Sequence, residues 1–515
     1  MDVSKLKIIL IIALAAFAAL YLGIAAATAQ VEAVAWVAGG IGVSICLAVG
    51  RRMWLLMQFM GSLGLTLYFV PGMPDTTQIG QGLFLGFSAM LFLMRRLPMR
   101  FTFTELEGWC FLFILCVVQV YLRKPVGLNF MGSDVVGGRQ YFDFVLNLSV
   151  AFMLSTLIVP PQEIKWYVRL TLIGSLLSFV IGAIGYYSPR AGYWLGSSSG
   201  KNLEGEGYEG KVLDEGQADR KGFMGALSQT LSLWIGSKMS PLAAFRRPLS
   251  VLLVLVSVAA AAYSGFRNQI AVVGLTYLVA LFYRGGITHV LIFAGLGSIG
   301  ILLLSLINSI APLPPNMQRT LTLFPGSWEQ RYKDDAEGST TWRTEMWIEA
   351  LTNKRYIANT WIGDGLGFSA AQLAQSRALS LQTSQRVVRG GFDASRESMM
   401  INGGYHSGPV STIRTIGYVG LCVLLIGLMR LAVHAHRQIM RSRNTDWHYT
   451  TLFICIPIMW SPIYFVFIYG TFIGGATALF LGTSMVRILE KNLPLPAYVM
   501  PQFAPFVLSK HSSPL

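Results

Sequence analysis

Long apolar stretches recur along the chain, and they decide which class of fold it can adopt. Each is about 20 residues long, enough for an α-helix to cross the roughly 30 Å hydrocarbon core of a bilayer. The 515 residues are 53% hydrophobic and 13% charged, whereas a water-soluble protein carries about twice that charged fraction. The sequence therefore predicts an all-α polytopic membrane protein with about 14 transmembrane helices. The candidate spans are residues 6–28, 31–49, 53–71, 78–94, 107–122, 141–158, 166–187, 222–238, 249–265, 268–283, 288–310, 409–433, 449–469 and 471–487.

The distribution of positive charge predicts the orientation of these helices. The net charge is +15, which in a soluble protein would suggest nucleic-acid binding. Here much of the excess lies in short loops between apolar stretches, so we expect the lipid bilayer and no nucleic acid as a partner. With about 14 spans, the Lys- and Arg-rich short loops fall on one side together with both termini, and that side is predicted to be the cytoplasm.

Several features limit the chemistry. The first apolar stretch, residues 8–27, is long for a signal peptide and is followed at once by another span, so we expect a retained helix. All five cysteines lie in apolar stretches, which predicts neither a disulfide framework nor a CxxC metal site. No Walker, Rossmann, HExxH or GxSxG motif occurs. Residues 363–367 look like a phosphate loop but lack the following Lys-Ser/Thr, and we interpret them as a turn.

The loops divide the chain into four parts. Residues 1–310 are predicted to form helices 1–11 and include loop 188–221, which is rich in Gly, Ser and Glu and is expected to be flexible. Residues 311–408 form an outer loop that is too long for a simple connector, and we expect a small helical subdomain on the outer membrane surface. Residues 409–490 are predicted to form helices 12–14, and residues 491–515 form a cytoplasmic tail.

The long loop contains one amphipathic run, residues 342–351, with Ser339 or Thr340 as its candidate N-cap. Its apolar positions share one helical face, and Arg343 and Trp347 share another. Two interpretations stay open for this run: a helix that only packs at the membrane surface, and one that takes part in binding.

Three features are predicted to meet at the outer face: Arg220, Arg267, and His406 with Arg414. Arg220 lies at the outer end of the helix predicted at 222–238, and Arg267 lies in a short hairpin between two apolar stretches. An arginine near membrane depth costs about 2.5–3.5 kcal/mol unless it is paired or in a wet cavity, although Arg267 could instead reach to lipid phosphates. His406 sits where the long loop becomes a membrane helix. Arg414 follows eight residues on, near the same helical face and slightly deeper.

An anionic ligand would account for this set of residues. Two guanidinium groups in a water-filled cleft can each donate a pair of hydrogen bonds to phosphate oxygens. A histidine beside them can take a proton from an attacking hydroxyl, because its pKa lies near the working pH. No carboxylate pair suggests hydrolysis, and no Cys/His cluster has metal-ligand spacing. The charge that stabilises a diphosphate leaving group would then come from arginine.

The histidine region resembles the signature of the O-antigen ligase/polymerase family, which is His, Asn/Ser/Gln, nine residues, Gly, two residues and Gly/Thr/Tyr. Here it reads His406-Ser407, nine residues, Gly417, two residues and Gly420. The likeness covers about residues 215–425, and the earlier helices are matched only by hydropathy. Other elements similar to that family are Ser264-x-x-Arg267, Arg220 after a long outer loop, and Trp342-Arg343-x3-Trp347 followed by Gly363-x-Gly365-x-Gly367.

The resemblance implies a metal-independent, inverting glycosyltransferase with the C-type membrane fold and no cofactor. Such enzymes lie in the bacterial inner membrane with the active site facing the periplasm. They pass a glycan from undecaprenyl diphosphate to the hydroxyl of a glycan or lipid acceptor, and other polysaccharide-assembly proteins are further candidate partners. By this likeness Arg220 and Arg267 would hold the diphosphate, and Arg267 and His406 would be catalytic. Arg343 and Arg414 are secondary candidates.

Three functions stay open at this point. They are lipid-linked glycan transfer by a ligase or a polymerase, transport by a lipid-linked oligosaccharide flippase, and a non-catalytic role in assembly or sensing. The number of spans and the long histidine loop exceed the usual ligase pattern and suit a polymerase at least as well. A flippase needs no loop of this length, and no repeat of two halves is visible in the sequence.

Overall fold

The computed structural model describes residues 49–68, 73–126, 138–197, 220–367, 400–401, 403–494 and 496. Across these ranges the chain is helical, with two isolated β-bridges and no strand. Six of the described helices are long and apolar enough to cross a membrane, which confirms the prediction of an all-α membrane protein. The predicted span 6–28, span 31–49 except its last residue, most of loop 188–221 and the tail after residue 496 lie outside the described residues.

Most helices agree with the predicted spans to within a few residues, and α7 matches 222–238. By contrast, α6 lies in loop 188–221, where composition predicts flexibility. A 3-10 turn precedes α1 at Gly50–Arg52, and a π-helical turn follows α14 at Tyr464–Ile468. In the described ranges the helices are α1 (Met53–Leu63), α2 (Thr76–Leu93), α3 (Glu105–Arg123), α4 (Arg139–Thr156), α5 (Pro161–Tyr187), α6 (Pro189–Leu195), α7 (Gly222–Lys238), α8 (Pro241–Ala244), α9 (Pro248–Tyr263), α10 (Arg267–Ile310), α11 (Pro315–Leu321), α12 (Gln330–Thr352), α13 (Gly408–Ser442), α14 (His448–Ile463) and α15 (Phe472–Asn492).

The main core lies where α3, α4, α13 and α15 meet. Phe113, Phe144 and Phe480 are buried there, with ring centroids 5.2 to 5.9 Å apart. A smaller core around Tyr277 joins α7, α9 and α10. A third core, around the buried Tyr405, joins α12 to the start of α13. This third core ties the long loop to the helix that follows the histidine.

The first described α-helix, α1, ends at Leu63, well before the end of the predicted span 53–71. Gly64 follows it with φ 59°, the left-handed conformation that commonly ends helices. The chain then turns back, and Thr66 pairs with Asp75 in an isolated bridge. The residues of this turn are still apolar, so hydropathy could not mark where the helix ends.

The long helix α10 is a hairpin rather than one straight rod. Gly286 interrupts it with φ 71° and ψ −169°. The ring centroids of Tyr277 and Phe293 are 5.7 Å apart, although a straight helix would separate two residues at this spacing by about 24 Å. Its two arms correspond to the predicted spans 268–283 and 288–310.

The loop helix α12 begins at Gln330, well before the amphipathic run 342–351. Glu329 occupies its N-cap position without a side-chain cap, so the prediction that Ser339 or Thr340 caps the helix is wrong. The first three turns are mostly polar, and apolar periodicity therefore reveals only the second half of the helix.

Candidate functional site

His406 has an unfavourable backbone conformation immediately before α13. Its φ is 51°, a left-handed value that costs of the order of 1–3 kcal/mol in a non-glycine residue. Both neighbours are held in place: Trp347 Nε1 donates to the Tyr405 carbonyl at 2.7 Å, and the Ser407 side chain caps α13. This conformation places the imidazole beside Tyr469, whose hydroxyl lies 3.3 Å from Nδ1.

Arg343 reaches the same place from α12. Its side chain is half-buried, and its positive charge helps to lower the pKa of His406. Tyr469 lies close enough to favour the charged form of Arg343. The buried Nε of Arg343 has no hydrogen-bond partner among the described residues. Leaving a buried donor unpaired costs free energy, so this guanidinium is suited to an anion that accepts from it.

Arg220 and Arg267 come together where α7, the α9–α10 turn and α12 meet. Arg267 begins α10, and its Nη1 donates to the Ala336 carbonyl of α12 at 3.2 Å. Arg220 lies just before α7, with its guanidinium 5.7 Å from the ring centroid of Phe266. The backbone N–H of the next residue donates to the Ser264 carbonyl at 2.9 Å. The turn that carries Arg267 therefore also supports Arg220.

Arg319, on the short helix α11, completes the group and is not among the residues predicted from the sequence. It is buried, pairs with Asp335 on α12, and its Nη1 donates to the Gly265 carbonyl at 2.9 Å. It thus fastens α12 to the turn that carries Arg267. The available sequence signal is weak: Arg319 is the one charged residue within 311–327.

We call this group the cationic cluster: Arg220, Arg267, Arg319 and Arg343, with His406, Tyr469 and Asp335. Arg267 lies within electrostatic reach of the other three arginines. Burial, followed by the charges of Arg343 and Arg220, lowers the pKa of His406 below its usual 6.5, so the imidazole is neutral at pH 7. Burial also lowers the pKa of Arg220 and of Arg343, but arginine remains protonated.

Arg414 belongs to a different set of contacts. Its Nη2 donates to the Ile401 carbonyl at 3.4 Å, and its guanidinium lies against Gly403. Its positive charge lies within electrostatic reach of the hydroxyl groups of Tyr141 and Tyr405. The structure therefore brings four of the five predicted site residues into the cationic cluster and places Arg414 in this neighbouring group.

The two glycine motifs of the sequence pack on one another. Gly417 interrupts α13 with φ 75°, and a Cβ there would come within 2.1 Å of the Trp361 carbonyl oxygen. The N–H of Asp364 donates to the Arg414 carbonyl at 2.6 Å. Residues 363–367 form a turn in which the three glycines have positive φ. This turn docks on the broken helix and helps to seat the first segment of α13, which follows His406.

An apolar cavity of about 540 Å³ begins beside Tyr469 and extends between α14 and α15. Tyr464 and Thr471 line the part near the cationic cluster, and Leu428 and Met485 line other parts of its wall. Its volume lies in the range of small-molecule sites. A charged region and an apolar cavity therefore adjoin, as a ligand with an anionic head and a hydrocarbon chain would require.

No protein-family model and no curated protein matches this chain. In the part of the chain that the structure describes, no group of three or more His, Cys, Asp or Glu side chains could hold a metal ion. The cationic cluster suits an anionic ligand, because guanidinium groups bind phosphate oxygens through paired hydrogen bonds.

Proposed function

We propose that this protein is a membrane glycosyltransferase that takes a glycan from undecaprenyl diphosphate and transfers or polymerises it onto an acceptor hydroxyl. The observation that carries the proposal is the cationic cluster, in which arginines from four separate segments come together and two of them, Arg220 and Arg343, act on a neutral histidine. The likeness of the His406 region to the O-antigen ligase/polymerase signature supports the same reaction. In this proposal the chain crosses the bacterial inner membrane about 14 times, and the cluster faces the periplasm.

The diphosphate would be held by Arg220, Arg267 and Arg343. Each guanidinium can present two N–H groups to phosphate oxygens. Arg319 already donates to Asp335 and to a backbone carbonyl, so its role would be to position the others. Fixed positive charges near the leaving group act where negative charge develops in the transition state.

His406 would act as general base toward the acceptor hydroxyl. Its lowered pKa keeps the imidazole neutral at pH 7, and a neutral ring nitrogen can accept a proton. As the acceptor oxygen bonds to the anomeric carbon, the bond from that carbon to the diphosphate breaks, and its electron pair leaves with the diphosphate oxygen. The proton ends on His406, and attack opposite the leaving group inverts the anomeric centre.

The hydrocarbon part of the donor would use the apolar cavity that begins beside Tyr469. Because the chain already lies in hydrocarbon when the donor is in the bilayer, the cavity would orient the donor through packing contacts. A free sugar nucleotide would leave this cavity unused, so the pairing of cavity and cationic cluster favours a lipid-linked donor.

The proposal is tested by complementing a deletion strain with variants of the cluster. We expect His406→Ala and Arg267→Ala to insert at wild-type levels and to make no full-length glycan. Arg331→Ala is the matched control, because Arg331 is an exposed arginine of α12 that pairs with Glu329. Full-length glycan from either cluster variant would contradict the proposal.

The same strains separate the remaining functions. A single glycan unit on the usual acceptor in the deletion strain indicates a polymerase, and a bare acceptor indicates a ligase. Movement of a lipid-linked sugar across sealed vesicles, without any transfer to an acceptor, would instead indicate a flippase.

A further inference from the structure

A second cavity, which is polar, lies between the α1–α2 turn and the start of α4. Its volume is about 250 Å³, and it is far more polar than the cavity beside Tyr469. Side chains with hydrogen-bonding groups converge on it from both elements: Thr66, Tyr68, Asp75, Gln78, Arg139 and Asp143. Convergent polar groups around a cavity are the usual mark of a ligand site.

These side chains are held in place before any ligand binds. Asp75 caps α2 in a capping box with Gln78, in which Gln78 N–H donates to Asp75 Oδ1 at 2.6 Å. Gln78 Nε2 in turn donates to Asp143 Oδ1 at 2.7 Å. Arg139 is buried, and its Nη2 donates to the Met73 carbonyl at 3.3 Å. The network therefore fixes two carboxylates, an amide and a guanidinium around one space.

A third cavity of about 270 Å³, lined by Ser178, Tyr186 and Arg220, lies between the α1–α2 turn and the cationic cluster. Leu65 lines this third cavity and the next residue, Thr66, lines the polar one. Thr66 N–H also donates to the Gly196 carbonyl at 2.9 Å, and the residue after Gly196, Ser197, lines the third cavity. A chain-like ligand with one end at Arg220 would therefore find further polar space along this turn.

We infer that the polar cavity binds a sugar ring of the glycan substrate, at a distance from the diphosphate. This inference rests on the proposed glycosyltransferase function and adds a site that recognises the glycan part of the substrate. Sugar hydroxyls can donate to Asp75 and Asp143 and accept from Arg139 and Gln78. The two carboxylates disfavour a phosphate, and Arg139 disfavours a metal cation.

The test measures sugar and diphosphate binding separately on detergent-purified protein. Saturation-transfer NMR is recorded with glucose, galactose, mannose, N-acetylglucosamine, N-acetylgalactosamine and glucuronate, and calorimetry with inorganic pyrophosphate. We expect at least one sugar to bind, and Asp143→Asn and Arg139→Gln each to weaken it about ten-fold or more, as loss of a charged hydrogen-bond partner implies. Ser149→Ala, a partly exposed position on the same helix that does not line the cavity, is the matched control and should bind like wild type.

The outcomes keep the two proposals apart. Sugar binding of wild-type strength in both cavity variants, or no binding of any sugar in the panel, overturns the sugar site. Arg343→Ala should abolish pyrophosphate binding and leave sugar binding unchanged. If pyrophosphate binds equally well without Arg343 while sugar binding still depends on Asp143, the diphosphate assignment fails and the sugar site stands.

Discussion

Two charged groups lie toward opposite ends of α15, the buried Arg487 with its carboxylate partners and the cationic cluster, and they differ in how their charge is balanced. At one end Arg487 is buried, and its Nε donates to Glu107 Oε1 at 2.8 Å, with Glu490 as a second carboxylate partner. At the other end, beyond Tyr469, the cationic cluster holds four arginines, and Asp335 is the carboxylate that pairs within it.

This contrast separates a structural ion network from a candidate binding site. A buried charge is costly unless it is paired, and the Arg487 group meets that requirement with its own carboxylates. In the cationic cluster the buried Nε of Arg343 has no partner among the residues described, and the arginines repel one another. The excess charge is therefore available to a ligand that brings negative charge with it.

Between these two groups, the largest expected effect is the loss of activity in Arg343→Ala. We expect the rate of glycan transfer to fall about 10²–10³-fold, the usual cost of removing one group that stabilises the transition state. Thermal stability should stay the same or rise, because the substitution relieves repulsion among the arginines. Transfer assays and thermal unfolding of the same preparation measure both effects. A variant that unfolds at lower temperature and transfers normally would show that Arg343 has a structural role.

The opposite result is expected at the other end of α15. Arg487→Ala leaves the mostly buried Glu107 without its cation and Glu490 with His434 as its remaining partner, which should cost up to about 3–5 kcal/mol of stability. The exposed pair of Arg430 and Glu105 provides the control, because Arg430→Ala should cost at most about 1 kcal/mol. Denaturation in detergent compares the two variants. Equal losses would mean that burial does not distinguish the ion pairs.

A smaller effect is expected at Gly417, where the broken helix meets the glycine turn. Alanine there must adopt φ 75° and bring a Cβ against the Trp361 carbonyl, so we expect Gly417→Ala to cost about 1–3 kcal/mol. Gly274→Ala is the control, because a Cβ at Gly274 meets no atom within 4 Å. Thermal unfolding of both proteins measures the difference, and an unchanged Gly417→Ala protein would mean that the turn is not tightly docked.

Sequence reasoning found the parts of the site that carry local patterns. Arg267 stands between two apolar stretches, and His406 begins a spaced signature, so both are visible in the chain. Arg319 is not, because its role depends on contacts with Gly265 and Asp335 that only the folded chain creates. Local patterns reveal a residue's type and surroundings in sequence, but not the partners that decide whether its charge is balanced.

The helices show the same limit. Hydropathy predicted both arms of α10, since Arg284 and two glycines interrupt the apolar run there. It extended α1 too far, because the residues after Gly64 are apolar while the backbone turns. It also missed the first half of α12, whose polar turns have no apolar periodicity.

The smallest expected effect concerns the pH dependence of transfer. With His406 as the general base, activity rises with pH as its imidazole loses a proton, and this rise is the acidic limb of the pH–rate profile. Burial, Arg343 and Arg220 lower the pKa of His406, so the acidic limb should lie below the usual pKa of 6.5. Arg343→Gln removes one repelling charge, so protonation becomes easier, the pKa rises, and the acidic limb should move to higher pH. Arg343→Lys keeps the charge and should leave the limb near its original place. Rate profiles of the residual activity between about pH 4 and 8 would test this, and an acidic limb unmoved by Arg343→Gln would show that His406 does not set it.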